Sequence, residues 1–231
     1  MADYLPLLTA IVSFALTALL VRQYLERRKL HQLVWATSLG LLGLAAVLAY
    51  LGNADVVGWN EVLYKAYLPL TALPVGLIGL GVLQLFRNRP ALARYYGYYW
   101  IATAILVLAV TALAPLRDPD PVTGEFLAAQ PPSVGGRYLP LFGAVSWLQT
   151  VPGAIVFIGG GVYSWWKDHA RVYGWFLAAG GVLFTVAGFS SRLGAPWAFF
   201  VITAIAAVAM FLGFILAVEH AAASAPRPAK A

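Results

Sequence analysis

The chain has 231 residues, of which 61% are hydrophobic and only 10% are charged. Soluble domains carry about 25% charged residues, so this composition excludes an ordinary water-soluble protein. The 15 basic and 9 acidic residues are scattered between apolar runs, a distribution that does not favour binding to nucleic acid. The absence of cysteine excludes disulfides, thiolate nucleophiles and cysteine-ligated metals.

Seven apolar runs follow one another along the chain, each long enough to cross about 30 Å of hydrocarbon as a helix. They cover residues 4–24, 33–51, 63–86, 98–116, 139–166, 175–193 and 196–218. The first run has no basic residue before it and is too long for a signal peptide, so we expect it to remain in the membrane as a span and not to be cleaved. These runs predict an all-α protein, a polytopic transmembrane bundle of seven helices within residues 1–220.

The segments between and after the runs are short, with two exceptions. Residues 117–138 form one long loop rich in Pro and Gly, in which Asp118 and Asp120 are typical of a solvated turn rather than a calcium site. Residues 221–231 are mostly Ala, Pro and Ser, which predicts a disordered tail.

Basic residues indicate how the bundle is oriented, because loops rich in Lys and Arg stay in the cytoplasm. Of the 15 basic residues, 11 fall on one side of the predicted spans and 4 on the other. This count predicts an N-terminus outside, a C-terminus in the cytoplasm and a location in the cell membrane. Six cytoplasmic cations are predicted to contact anionic lipid headgroups, namely Arg27, Arg28, Lys29, Arg87, Arg89 and Arg94.

A recurring aromatic pattern marks the ends of the spans. Tyr-Leu-Pro-Leu occurs at residues 4–7, 67–70 and 138–141, and Trp35, Trp100 and Trp175 stand at the cytoplasmic starts of the returning spans. We interpret these aromatic residues as interfacial anchors. The alternative is a duplication of three spans on either side of the fourth, with Trp35 and Trp175 as counterparts, which is a transporter plan.

Three segments are similar to a group of uncharacterised bacterial seven-helix membrane proteins. They are residues 28–35 with His31, the start of span three leading to Gly79 and Gly81, and residues 160–165. The chain departs from the group late in the second span, where members often carry an acidic residue and this chain has Leu, Ala and Tyr at residues 48–50. No activity is established for the group, so the resemblance implies a shared fold and nothing about a substrate.

The spans lack the residues that common membrane chemistries need. All nine acidic residues fall in loops or at span ends, which disfavours ion-coupled pumping, and the seventh span has no Lys for retinal. His31, His169 and His220 lie near the cytoplasmic ends, away from the positions that haem ligation requires. With no catalytic motif in the chain, we predict no enzyme, no cofactor and no metal.

Polar residues on span five, namely Ser146, Gln149 and Thr150, are the candidates for a site within the membrane. Gln149, three residues before Pro152, either bonds a neighbouring helix or lines a pocket in the outer half of the bundle with Trp147 and Tyr67. Lys65 is a further candidate ligand contact, although its spacing from Glu61 favours an ion pair.

Two functions remain open from the sequence. The first is a non-catalytic accessory or sensor-like subunit of a membrane assembly, whose partners are the lipid bilayer and other membrane subunits. The alternative is a small-solute or lipid transporter or binding protein, with a ligand pocket formed by Ser146, Trp147, Gln149, Tyr67 and Lys65. The close-packing glycines of spans three, five and six suit both functions.

Overall fold

A computed structural model describes residues 4–52, 56–86, 90–113, 140–169, 172–192 and 196–223. Helix is the regular secondary structure throughout these ranges. The seven helices are α1 (Leu5–Arg27), α2 (Leu30–Leu51), α3 (Glu61–Leu85), α4 (Pro90–Leu113), α5 (Pro140–Lys167), α6 (Tyr173–Arg192) and α7 (Pro196–Ala223). The prediction of an all-α bundle of seven helices is confirmed. The 117–138 loop lies outside the described residues.

Six of the seven helices are long and apolar enough to cross a membrane. The exception is α6, whose apolar part, Tyr173–Gly188, is shorter than the others. Two helices extend well beyond their predicted spans. The hydrophobic run predicts only the part of a helix inside the hydrocarbon, and the helix itself can continue into water. Helix α4 begins at Pro90 instead of residue 98, and α7 ends at Ala223, inside the segment predicted as a disordered tail.

Local residues explain where several helices begin. Proline stands in the first turn of α1 as Pro6, and α4, α5 and α7 each begin on a proline, where a missing amide hydrogen costs no helical bond. The side chain of Asn60 accepts a hydrogen bond from the amide of Leu63 at 2.9 Å and so caps α3. Arg28, with a φ of 54°, makes the tight left-handed turn between α1 and α2.

Six helices pack in a closed ring, in the order α1, α2, α3, α5, α6 and α7, with α7 returning to α1. Helix α4 stands outside the ring and packs against α3 and α5. We call the two ends of the bundle the Tyr4 end, where the odd-numbered helices begin, and the Arg28 end, where they finish. Which end faces the cytoplasm stays a prediction.

Glycines set the close approach of α3 to α5. A Cβ added at Gly153 would lie 2.7 Å from the carbonyl oxygen of Val75 and 2.9 Å from the amide nitrogen of Gly76. On the next turn of α3, Gly79 would bring a Cβ to 3.0 Å from the Gly153 carbonyl oxygen. Only a residue without a side chain permits this backbone contact, so the predicted close packing is observed here.

The Arg28 half of the ring is filled by a solid core that includes Leu20, Leu39, Val82 and Met210. At its centre the Trp35 ring stacks on Phe214, with centroids 3.6 Å apart and planes 11° from parallel. The Trp35 indole nitrogen lies 3.4 Å from the Ile78 carbonyl oxygen, to which it donates. Trp35 is 0% exposed, so the interpretation of this residue as an interfacial anchor is wrong. Apolar packing outweighed the interfacial preference of its ring.

The two triplets of helices pack in the same order on either side of α4. The middle helix lies between its neighbours in each, and the contacts between α3 and α5 and between α7 and α1 close the ring. The residues proposed as counterparts differ in environment, since Trp35 is buried whereas Trp175 is exposed. The duplication stays a hypothesis, supported by helix order and unsupported by these side chains.

Candidate functional site

Helix α4 is bound to the outside of the ring by polar side chains. The Gln149 amide nitrogen on α5 donates to the Trp100 carbonyl oxygen at 3.0 Å and to the Thr103 hydroxyl at 2.6 Å. The Trp100 indole nitrogen in turn donates to the Leu73 carbonyl oxygen on α3 at 3.3 Å. Gln149 is 1% exposed, and the predicted hydrogen bond between helices is therefore observed.

Gly76 leaves the space that the Gln149 side chain fills. A Cβ at Gly76 would lie 2.3 Å from Gln149 Oε1 and 2.6 Å from the Trp100 ring. The Oε1 atom is buried and has no hydrogen-bond partner among the described residues. Gln149 thus acts as a donor to α4, with its oxygen against the α3 backbone.

A cavity of about 670 Å³ lies inside the six-helix ring, in the half nearer the Tyr4 end. The wall is formed by Thr9 of α1; Leu42, Ala45 and Ala46 of α2; Tyr67, Thr71, Pro74, Val75 and Ile78 of α3; Trp147, Thr150, Val151, Ala154, Ile155, Phe157, Ile158 and Gly159 of α5; Gly181, Phe184, Thr185 and Gly188 of α6; and Phe199, Phe200 and Thr203 of α7. Helix α4 contributes no residue to this wall. The volume lies within the range of small-ligand sites.

The wall offers a ligand hydrocarbon and no charge. None of its described residues is Asp, Glu, Lys, Arg or His. Three of its threonine hydroxyls donate to helix carbonyls, Thr9 to Phe200 at 2.8 Å, Thr71 to Leu68 at 2.7 Å and Thr185 to Gly181 at 3.0 Å. The buried hydroxyl of Thr203, by contrast, has no hydrogen-bond partner among the described residues. With no charged group and a single unpartnered threonine hydroxyl in its described wall, the cavity suits a mainly apolar molecule better than a strongly polar solute.

The cavity ends at a solid floor toward the Arg28 end. Ile78 and Phe157 belong both to the cavity wall and to the buried core. Behind them lies the Trp35–Phe214 stack, which the Trp35 hydrogen bond to Ile78 ties to the floor. The cavity is therefore closed toward the Arg28 end and does not continue through the described part of the bundle.

Aromatic rings stand above Tyr67 at the Tyr4 end. The Trp59 ring lies 5.2 Å from Tyr67 and 5.9 Å from Tyr64, both measured between centroids. Gly52 makes room for it, since a Cβ there would be 2.2 Å from the indole. At the same end, between the neighbouring helices α1 and α2, the Tyr4 ring lies 6.0 Å from the Tyr50 ring, measured between centroids.

The structure separates the predicted ligand-contact residues into two groups. Tyr67 and Trp147 line the cavity. Gln149 faces α4, and Ser146 is buried outside the wall. Lys65 pairs with Glu61 at 2.7 Å, which confirms the predicted ion pair, and its Nζ lies 3.5 Å from the Ala112 carbonyl oxygen at the end of α4. Whether any of the five contacts a ligand stays a prediction.

The predicted headgroup contacts stand at the Arg28 end. Four of these cations are exposed there, as headgroup binding requires, namely Arg27, Arg28, Lys29 and Arg94, whereas Arg87 and Arg89 lie outside the described residues.

The histidines of this end pack against tryptophan rings. His31 packs edge-on against Trp35 at 5.1 Å, and His169 packs edge-on against Trp165 at 4.7 Å, both measured between ring centroids. Within the described ranges no three His, Asp or Glu residues converge as a metal site.

Comparison of the chain with protein-family models, with curated proteins and with solved structures gives no match. The site must therefore be interpreted from its own geometry.

Sequence reasoning missed most of the cavity wall. The wall has one sequence signal on α6, a stripe of small residues spaced by four and three positions, namely Gly181, Thr185 and Gly188. Residues at this spacing share one face of a helix, and their small side chains leave space beside it. Polar residues in a span point to a polar site, whereas this cavity is mainly apolar, so they did not reveal the stripe.

Proposed function

We propose that this membrane protein is a non-catalytic binding protein of the cell membrane that holds an apolar, lipid-like ligand inside its helix ring. The observation that carries the proposal is the uncharged cavity of about 670 Å³ between six helices. Tight packing elsewhere in the ring makes this void a specific feature, because an unfilled cavity costs contacts that a core otherwise makes.

The ligand class follows from what the wall can satisfy. A charged or strongly polar solute would lose its hydration with no ionic partner in return. A hydrocarbon chain has no hydration to lose, and the wall gives it contacts like those it had in the bilayer. The floor built on Ile78 and Phe157 favours holding a ligand over passing it through the bundle.

Photolabelling tests the proposal. The purified protein in detergent is mixed with a fatty acid that carries a diazirine on its chain, irradiated, and digested for mass spectrometry. We expect labelled peptides from the cavity segments of α3, α5 and α7, and loss of label on competition with unlabelled fatty acid.

A matched pair of substitutions supplies the control. Ala46 is buried in the cavity wall, so Ala46→Phe should occupy the void and abolish cavity labelling. Ala102 is exposed on α4 away from the cavity, so Ala102→Phe should leave labelling unchanged. Equal labelling of both variants, or label spread evenly over the exposed helix faces, would contradict the proposal.

The other predicted function, an accessory or sensor-like subunit with protein partners, makes no use of the cavity. Copurification of a partner chain in stable proportion, unaffected by Ala46→Phe, would support that role.

A further inference from the structure

We propose that the acyl chain of a bilayer phospholipid reaches the cavity sideways, through a cleft between α5 and α6 in the Tyr4 half of the bundle. We call this opening the α5–α6 cleft and define it by Trp147, Val151, Ile155, Thr185 and Gly188. The inference rests on the proposed function and names the ligand and its route.

Helices α5 and α6 are in backbone contact toward the Arg28 end. A Cβ at Gly174 would lie 2.5 Å from the Gly161 carbonyl oxygen, and one at Gly161 would lie 2.7 Å from the Gly174 carbonyl oxygen. Further along, Gly181 still packs under Ile158 and Phe157, at 2.6 Å and 2.9 Å from its added Cβ. The two helices are therefore joined from Gly161 up to Gly181.

Beyond Gly181 the two helices no longer cover each other. Trp147, Val151 and Ile155 line the cavity and are nevertheless 57%, 46% and 66% exposed, and Thr185 opposite them is also an exposed wall residue. Among the described residues, no atom lies within 4 Å of a Cβ added at Gly188. Wall residues with so much exposed surface form a rim, so the cavity opens to the outside of the bundle here.

Two other seams of the ring, α1–α7 and α3–α5, have direct contacts at the level of the cavity. Thr9 on α1 donates to the Phe200 carbonyl oxygen on α7 at 2.8 Å. Gly153 on α5 touches the α3 backbone at Val75 and Gly76, and α4 covers that seam from outside. The α5–α6 seam differs from them because its glycine contacts lie on one side of the cavity only.

The depth of the cleft decides what it faces. At 1.5 Å per residue, Ile155 lies about 22 Å from the start of α5 at Pro140 and about 18 Å from its end at Lys167. Thr185 lies about 10 Å from the end of α6 at Arg192. Both positions fall within a hydrocarbon core about 30 Å thick, so the rim meets lipid chains rather than water.

Physical chemistry then selects the occupant. Water in the cavity would need two to four polar partners, whereas Thr185 at the rim already donates to Gly181 and Thr203 is the one wall threonine whose hydroxyl has no partner among the described residues. An acyl chain that bends into the cleft exchanges lipid contacts for equivalent protein contacts and fills the void. Its headgroup can stay at the membrane surface while the chain enters.

Because the chain has no cysteine, the cleft can be obstructed after folding. Thr185→Cys places a single thiol on the rim, and reaction with a bulky maleimide blocks it. Ala179→Cys is the matched control, because Ala179 is exposed on the same helix and lies outside the cavity wall. The probe is a phosphatidylcholine with a diazirine on one acyl chain, supplied in nanodiscs before or after the maleimide.

We expect cavity labelling to fall to background when Thr185→Cys is modified before the probe is added, and to persist when it is modified afterwards. Modified Ala179→Cys should label like the wild type. Undiminished labelling of Thr185→Cys blocked beforehand would refute the lateral route, as would loss of label when the maleimide is added last, because the adduct would then occupy the cavity itself. Failure of unmodified protein to label its cavity with either the phospholipid or the fatty acid would instead refute the proposed function.

Discussion

The Tyr99 hydroxyl on α4 donates a hydrogen bond to the Leu148 carbonyl oxygen on α5. Leu148 stands four residues before Pro152, so its carbonyl is the one that the proline leaves without a helical partner. An unpaired carbonyl in hydrocarbon is costly, and a neighbouring helix supplies the missing donor. Helix α4 therefore completes the backbone bonding of α5 from outside the ring.

Removing this donor should destabilise the bundle only while the proline is present. We expect Tyr99→Phe to lower the free energy of unfolding by about 1 kcal/mol. In a Pro152→Ala background the residue at 152 has its own amide hydrogen for Leu148, so the same substitution should cost much less. Equilibrium unfolding of the four proteins in mixed micelles measures the coupling. Equal cost in both backgrounds would show that the Tyr99 hydroxyl acts independently of the carbonyl that Pro152 leaves unpaired.

Gln149 should matter for stability and leave ligand binding intact. Gln149→Leu removes two hydrogen bonds to α4, and we expect a loss of about 0.6 to 2 kcal/mol in unfolding free energy. Cavity labelling by the photoreactive fatty acid should persist, because the side chain faces away from the cavity.

The control for Gln149 is Thr150→Val on the same helix. Among the described residues, the Thr150 hydroxyl bonds the Ser146 carbonyl oxygen of its own helix and no other helix, so its loss should change stability little. Unchanged stability together with lost labelling in Gln149→Leu would instead place Gln149 at the ligand.

Two glycines on α5 should respond oppositely to the same change. Gly153→Ala places its Cβ against the α3 backbone, which cannot move aside, so we expect a loss of roughly 1 to 3 kcal/mol. Gly159→Ala meets nothing within 4 Å and should be neutral or stabilising by up to about 1 kcal/mol, because alanine is the better helix former. Thermal unfolding in detergent compares them, and similar melting temperatures would argue against the close α3–α5 contact.

The predicted orientation can be tested with single cysteines. Lys29 is exposed at the turn after α1, whereas the nearby Gln32 is fully buried, so Lys29 is the position to label. We expect Lys29→Cys to react with an impermeant thiol reagent only after the cells are opened. Gly124→Cys, in the 117–138 loop, should react in intact cells. The reverse pattern would invert the orientation and place the cavity in the cytoplasmic half of the membrane.

The sequence by itself determined the class and the number of helices. Hydrophobic runs must be helical in lipid to bond their backbones internally, so the runs and the helices share a common physical cause. The ion pair of Glu61 with Lys65 was equally predictable, because a spacing of four residues on one helix needs no tertiary information. The sequence could also identify Gln149 as a group that must find a partner, because lipid cannot satisfy a side-chain amide.

Only the tertiary structure decided which partner that was and where the void lies. Whether Gln149 bonds α4 or lines a cavity depends on how α4 packs outside the ring, and chain order does not encode that choice. The same holds for Trp35, whose ring is equally at home at an interface or against Phe214. The cavity is the clearest case, because small and apolar residues serve equally for close helix packing, for contact with lipid and for lining an empty space, and the mutual placement of six helices tells these apart.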